Sequence, residues 1–166
     1  MAAKTQVSLE DYLGTSFQPD CDYLDGELVE RNVGQRRHSK VQRTLLSLFH
    51  RPTATVPLYA FPELRLKLAT RRYRVADLVA FAGQEPAEEI PSSPPLVAIE
   101  ILSPDDRFRE IHEKLADYRA WGVPHVWFVD PYERKIYVYG DRGLTEVPAL
   151  EIPEHGLQIP AAKVFT

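Results

Sequence analysis

The run Tyr73-Arg74-Val75-Ala76-Asp77-Leu78-Val79-Ala80-Phe81 and, beyond a Pro- and Glu-rich interval, Leu96-Val97-Ala98-Ile99-Glu100-Ile101-Leu102 decide how this chain is read. Both are apolar almost throughout, the pattern of strands covered on both faces. Each carries one acid well inside it. Strand alternation places Asp77 on the same face as Val75, Val79 and Phe81, where an unpaired carboxylate is costly. Two such acids on neighbouring strands call for a common cation, and hard oxygen ligands of this kind suit Mg²⁺ or Mn²⁺. A buried arginine such as Arg74, paired with each acid, would offset the same charge without a metal, as would a place at a strand end in solvent.

Moving toward the N-terminus, Leu64, Leu66 and Leu68 alternate with Arg65 and Lys67, so Leu58 to Leu68 reads as a strand. The short segment Ala69-Thr70-Arg71-Arg72 joins it as a hairpin to the Asp77 strand. His38, Val41, Gln42, Leu45, Leu46, Leu48 and Phe49 follow the spacing of an amphipathic helix from about Gln35 to His50. Its polar flank holds Arg36, Arg37, Lys40 and Arg43. Asp25-Gly26 supplies the positive φ angles of a tight hairpin, and Ser8 caps a short helix that ends on Gly14.

Toward the C-terminus a second helix opens at Asp105-Asp106, runs through Phe108, Ile111, Leu115 and Tyr118, and stops at Gly122 with Pro124 beyond it. Strands at His125 to Val129 and Lys135 to Tyr139, then two further short strands, complete the chain. Gly83 to Pro95 reads as a surface loop within one domain spanning residues 1–166. Helix, three strands, helix, strand makes an α/β (α+β) fold, a central mixed sheet flanked by helices with extra C-terminal strands.

At 166 residues and 44% hydrophobic, the chain closes one core and excludes a multidomain machine. It has no long apolar run, and Met1-Ala2-Ala3-Lys4-Thr5-Gln6 lacks the apolar stretch of a secretory signal, so a cytoplasmic protein without a membrane span is expected. The lone cysteine, Cys21, forms neither an internal disulfide nor a cysteine-rich zinc site. Net charge is −4, but Arg31 to Arg74 carries eleven basic residues against one acid, Glu63, leaving the remainder at −14. Such segregation suits a protein with one face for a polyanion; solvated basic faces would leave the same pattern.

Lys114 stands at the edge of the apolar face of the second helix, where its stem covers the core and its ammonium reaches toward the Glu100 strand. Beside metal-bound carboxylates it would orient water and stabilise charge on phosphorus; on its own it reads as a snorkelling lysine. Glu63, on the strand before Asp77, is a further metal ligand, a base or a surface glutamate. Near the helix start, His38 is a phosphate contact, a partner of a ligand or a structural histidine.

On these residues the chain resembles the PD-(D/E)XK nuclease superfamily and, within it, the Uma-type family of bacterial candidate restriction endonucleases. The matching stretches are Tyr23 to Glu30, His38, Arg74 to Val79, Val97 to Pro104 and Lys114 to Pro131. Two positions depart from the superfamily pattern. Ala76 precedes Asp77 where a proline is usual, and Leu102 stands where the lysine two residues after the glutamate belongs. Lys114 is the position that matches a lysine migrated to the following helix. The resemblance implies a restriction-endonuclease-like core and a Mg²⁺- or Mn²⁺-dependent endonuclease acting on DNA, with Asp77, Glu100 and Lys114 catalytic and Glu63 completing the metal shell. Arg36, Arg37, His38, Lys40, Arg43, Arg72 and Arg74 are the expected nucleic-acid contacts. Cutting two strands favours a homodimer, for which Tyr137-Val138-Tyr139 reads as an interface or as an ordinary sheet face. The alternative, motivated by Leu102 and the acidic total charge, is a nucleic-acid-binding protein that keeps the fold without turnover.

Overall fold

A computed structural model describes residues 5–51 and 55–166; the start of the segment read for a secretory signal, residues 1–4, lies outside them. The elements run β1 (Thr5–Gln6), α1 (Leu9–Leu13), β2 (Asp22–Leu24), β3 (Glu27–Val29), α2 (Arg36–Phe49), β4 (Leu58–Ala69), β5 (Arg72–Ala82) and β6 (Val97–Ile101). They continue with α3 (Phe108–Trp121), β7 (His125–Asp130), β8 (Lys135–Gly140), β9 (Gly143–Glu146), β10 (Ala149–Ile152), β11 (Leu157–Pro160) and α4 (Ala161–Val164). The expected order of helix, three strands, helix and strand is α2-β4-β5-β6-α3-β7. Among the described residues no helix is long and apolar enough to cross a membrane.

Nine strands form one mixed sheet in which β6 and β7 are parallel, connected through α3, and the other pairs are antiparallel. The turn between β2 and β3 uses Asp25 at φ 51° and Gly26 at φ 99°, as its sequence predicts. On one face Val41, Leu45 and Phe49 of α2 pack on Leu78, Ile99 and Trp127; on the other, Leu115 and Tyr118 of α3 pack on Val79, Ala98 and Val126. The first side chains are consecutive inward positions of the α2 stripe, which is why that helix lies flat on the sheet.

One feature of the sheet positions the site. β4 pairs with β5 along nearly its whole length, so the other edge of β5 is left for two partners. β2 takes that edge at Arg72 and Tyr73, and β6 takes it at Leu78, Val79 and Ala80. Between them, at residues 74–77, the sheet forks. Polar side chains fill this fork, because backbone groups with no ladder partner must find another.

Two local readings differ from the sequence expectation. α3 starts at Phe108, not at Asp105-Asp106, because the Asp106 carboxylate turns back to accept the Ser103 N–H (2.7 Å) and Asn32 Nδ2 (2.7 Å). After β8 come three short strands and the terminal helix α4, where two strands are expected. β8, which contains Tyr137-Val138-Tyr139, has a neighbour on each edge, so that strand offers only its faces to another chain.

Candidate active site

Asp77, Glu100 and Lys114 meet in the fork. The β5–β6 register pairs Leu78 with Ile99, and one step further sets Asp77 opposite Glu100. On the other side of β5, the pairs Pro62–Leu78 and Leu64–Ala76 bracket Glu63 against Asp77. Three carboxylates thus lie in a row across three adjacent strands. Glu63 takes φ 51°, a left-handed conformation uncommon for a residue with a Cβ and one that strains β4 at this point.

Asp77 is buried, and each of its oxygens is held. Oδ2 accepts the Ile101 N–H at 2.7 Å and lies 3.2 Å from His38 Nε2; Oδ1 accepts Arg31 Nη2 at 2.7 Å. Burial alone would raise the Asp77 carboxyl, but the His38 contact, then Arg31 and Lys114, reverse this and hold it well below the ordinary carboxylate range. Asp77 in turn raises His38, against burial that would lower it. Glu100 is also buried. Its Oε1 accepts the Tyr118 hydroxyl at 2.7 Å, and its Oε2 lies 3.2 Å from Lys114 Nζ. Burial pushes Glu100 up to about 7, with the charge of Asp77 adding to the rise and Lys114 opposing it.

Lys114 reaches the fork from α3, where Tyr118 is one turn further along the same face. Its ammonium donates to the Val75 carbonyl at 2.6 Å and lies 3.2 Å from Glu100 and 3.8 Å from Asp22. Leu102, where the sequence resemblance leads one to look for a lysine, packs among apolar side chains under α3. The ammonium thus arrives beside Glu100 from α3, not from β6.

Two groups central to this network are absent from the sequence reading as site residues. Asp22 of β2, 2% exposed, accepts the Val75 N–H at 2.7 Å and Arg74 Nη1 at 2.9 Å. Arg31, beyond β3, bridges Asp77 and Glu63 through its two terminal nitrogens. Gln42 of α2 also joins the row, donating to Glu63 Oε1 at 2.9 Å and to the Asp77 carbonyl at 2.7 Å. Asp22 carries a faint signal as an acid inside a short apolar strand. Arg31 carries none, being one of many basic residues in its segment.

The arginine alternative is therefore realised by Arg31 for Asp77, not by Arg74. Arg74, 4% exposed, sits between Asp22 and Asp117, and Arg72 donates to Asp117 at 2.8 to 3.0 Å. At the start of β5 both arginines thus meet carboxylates of β2 and α3, Arg74 buried between two of them and Arg72 about one-third exposed beside Asp117. Arg65 is likewise paired with Asp20 and stacked over Tyr12, 4.2 Å from the ring centroid. His38 is 5% exposed and faces Asp77 instead of solvent. Arg36, Arg37, Lys40 and Arg43 remain exposed along α2, with Arg37 over the Tyr132 ring.

The residues present suit a hard divalent cation. Asp77, Glu100 and Glu63 are oxygen donors, and a Mg²⁺ site needs only one or two carboxylates plus water. Among the described residues, however, no group of three or more acidic, histidine or cysteine side chains is already gathered in ligating positions. Arg31 lies across two of the three acids.

The known proteins that this chain is similar to agree with its architecture. A solved structure described as a putative nuclease belonging to DUF820 from Anabaena variabilis ATCC 29413 superposes with a TM-score of 0.79. It is 22% identical, covering 96% of this chain and 97% of that one, and so speaks for the fold. No curated protein matches. The sequence model of the Uma2 family, described as "Putative restriction endonuclease", matches residues 9–165. With the forked sheet, its buried acid pair and the lysine of α3, that match over nearly the whole chain places this protein in the Uma2 family.

Proposed function

We propose that this chain is a divalent-metal-dependent endonuclease that hydrolyses phosphodiester bonds in DNA. The observation that carries the reading is the buried pair Asp77 and Glu100 on adjacent strands with the Lys114 ammonium 3.2 Å from Glu100. Asp77 and Glu100 would hold Mg²⁺ or Mn²⁺, with Glu63 at the rim. When bound, such an ion supplies Lewis acidity toward a phosphodiester. Hydrolysis adds water to phosphorus and breaks the bond to the leaving sugar oxygen, so negative charge builds on the phosphoryl oxygens. Lys114, anchored by the Val75 carbonyl and Asp22, is a preorganised positive charge for that stage. Tyr118 fixes the orientation of Glu100 through its hydroxyl. Arg36, Arg37, Lys40 and Arg43 supply phosphate contacts that position the duplex. A homodimer would present one site to each strand.

A second reading is favoured by one observation, the Arg31 bridge: a protein that binds nucleic acid without turnover, its acids neutralised from within. Cleavage of supercoiled and single-stranded DNA in Mg²⁺ and in Mn²⁺ separates the two. Asp77→Asn, Glu100→Gln and Lys114→Met, each verified as folded, are expected to lose activity by about a hundredfold or more. Absence of cleavage by the parent under both metals, with duplex binding intact, would overturn the enzyme reading.

A further inference from the structure

Arg31 lines two adjoining cavities. One, about 450 Å³, is bordered by Phe17, Asn32, Ser39 and Gln42; the other contains Glu100 and Lys114. Asn32 and Asp77 line both as well, so the Arg31–Asp77 pair lies where the two cavities meet. The guanidinium side chain is only 11% exposed, and its planar fork meets two carboxylates at once. The Asp77 oxygen that it holds is the one not engaged by Ile101 and His38. The Glu63 oxygen that it holds is likewise the one not engaged by Gln42. The oxygens with room for another cation are those that Arg31 takes. The segment carrying it is tied across the mouth of the site by the Asn32–Asp106 hydrogen bond, so the fork is held in place.

We propose that Arg31 is the resident counter-cation of this site: it holds Asp77 and Glu63, competes with the divalent ion for them, and once displaced turns into the larger cavity to bind a substrate phosphate. This rests on the metal-dependent reading above. Displacement costs little in charge, since one cation replaces another on the same carboxylates. The freed fork matches a phosphate in the same bidentate manner. Metal loading and phosphate binding are therefore coupled through one side chain.

Mn²⁺ titration followed by the electron paramagnetic resonance of the free ion tests the competition. A site whose acids are held by Arg31 about nine-tenths of the time binds metal about tenfold more weakly than the open site. Arg31→Ala and Arg31→Gln are each expected to bind Mn²⁺ about tenfold more tightly than the parent, with a larger rise in melting temperature on adding Mn²⁺. Glutamine keeps a polar group beside Glu63, which guards against a variant that fails to fold. At saturating Mn²⁺ the same variants are expected to bind thymidine 5′-phosphate about tenfold more weakly than the parent. Equal or weaker Mn²⁺ affinity in both variants, or unchanged thymidine phosphate affinity, would overturn the proposal, while loss of Mn²⁺ in Glu100→Gln leaves the metal reading standing. No Mn²⁺ binding by the parent or either variant would overturn both.

Discussion

Replacing Asp22 with asparagine tests whether the fork in the sheet is held by charge. The carboxylate serves two buried donors, Val75 N–H at 2.7 Å and Arg74 Nη1 at 2.9 Å, and stands 3.8 Å from the Lys114 ammonium. Asparagine retains one acceptor oxygen. Whichever donor it serves, the other meets an amide NH2 group. A lost charge-assisted hydrogen bond costs about 1.5–3 kcal/mol. With Arg74 and Lys114 also deprived of a buried anion, the total rises to about 3–5 kcal/mol. At about 2–4 °C per kcal/mol for a chain of this length, the melting temperature falls by about 6–20 °C.

The same variant carries a pH signature. Burial would raise the Asp22 carboxyl, but Lys114, Arg74 and Arg31, with the Val75 N–H, outweigh it and leave it below its ordinary value. A carboxyl depressed in the folded state stabilises the protein above its unfolded value, about 3.9, and loses that contribution as pH falls through the folded one. Thermal unfolding by circular dichroism from pH 7 down to pH 3 is therefore expected to show the gap between parent and Asp22→Asn narrowing at the acid end. A variant that melts within about 2 °C of the parent at pH 7 refutes the reasoning, given the cost derived above. So does a gap that stays constant across the range.

Combined Arg36→Ala, Arg37→Ala, Lys40→Ala and Arg43→Ala substitutions are expected to weaken duplex binding and to flatten its salt dependence by about 0.9 per lost phosphate contact. An unchanged slope in fluorescence anisotropy at several salt concentrations would move the DNA face off α2. Gly122 ends α3 at φ 108°, and a Cβ there would meet only Pro94 Cγ at an ordinary 3.7 Å, so the cost of Gly122→Ala is that of the backbone alone. The expected loss is about 1–2 kcal/mol, read by urea unfolding.

Asp77, Glu100 and Lys114 are legible in the sequence for a shared reason. Each is a charge where the surrounding periodicity demands an apolar residue or a helix edge, and burying such a charge without a partner is too costly to be incidental. The α2 basic flank is legible too, because helical spacing separates it from the buried stripe at Val41, Leu45 and Phe49. Arg72 and Arg74 extend the basic segment in sequence, and their pairing with Asp117, and of Arg74 with Asp22, distant along the chain, is invisible there. The α3 boundary fails in the same way, since a distant Asn32 competes for Asp106.

Alternation and helical spacing, which are properties of local backbone geometry, determined the order α2-β4-β5-β6-α3-β7 and the strands that carry the two acids, and the short link at residues 69–72 pointed to a mixed sheet. They also separated the face of α2 that packs from the face that meets solvent. Only the tertiary structure decided what neutralises the acids. That outcome depends on β2 and β6 sharing one edge of β5, which opens the fork at residues 74–77, and on a segment beyond β3 lying across it. Arg31 reaches Asp77 over a separation of 46 residues, and Arg74 reaches Asp22 over 52. No local periodicity encodes such pairings, because they follow from where separate elements end once the core has closed.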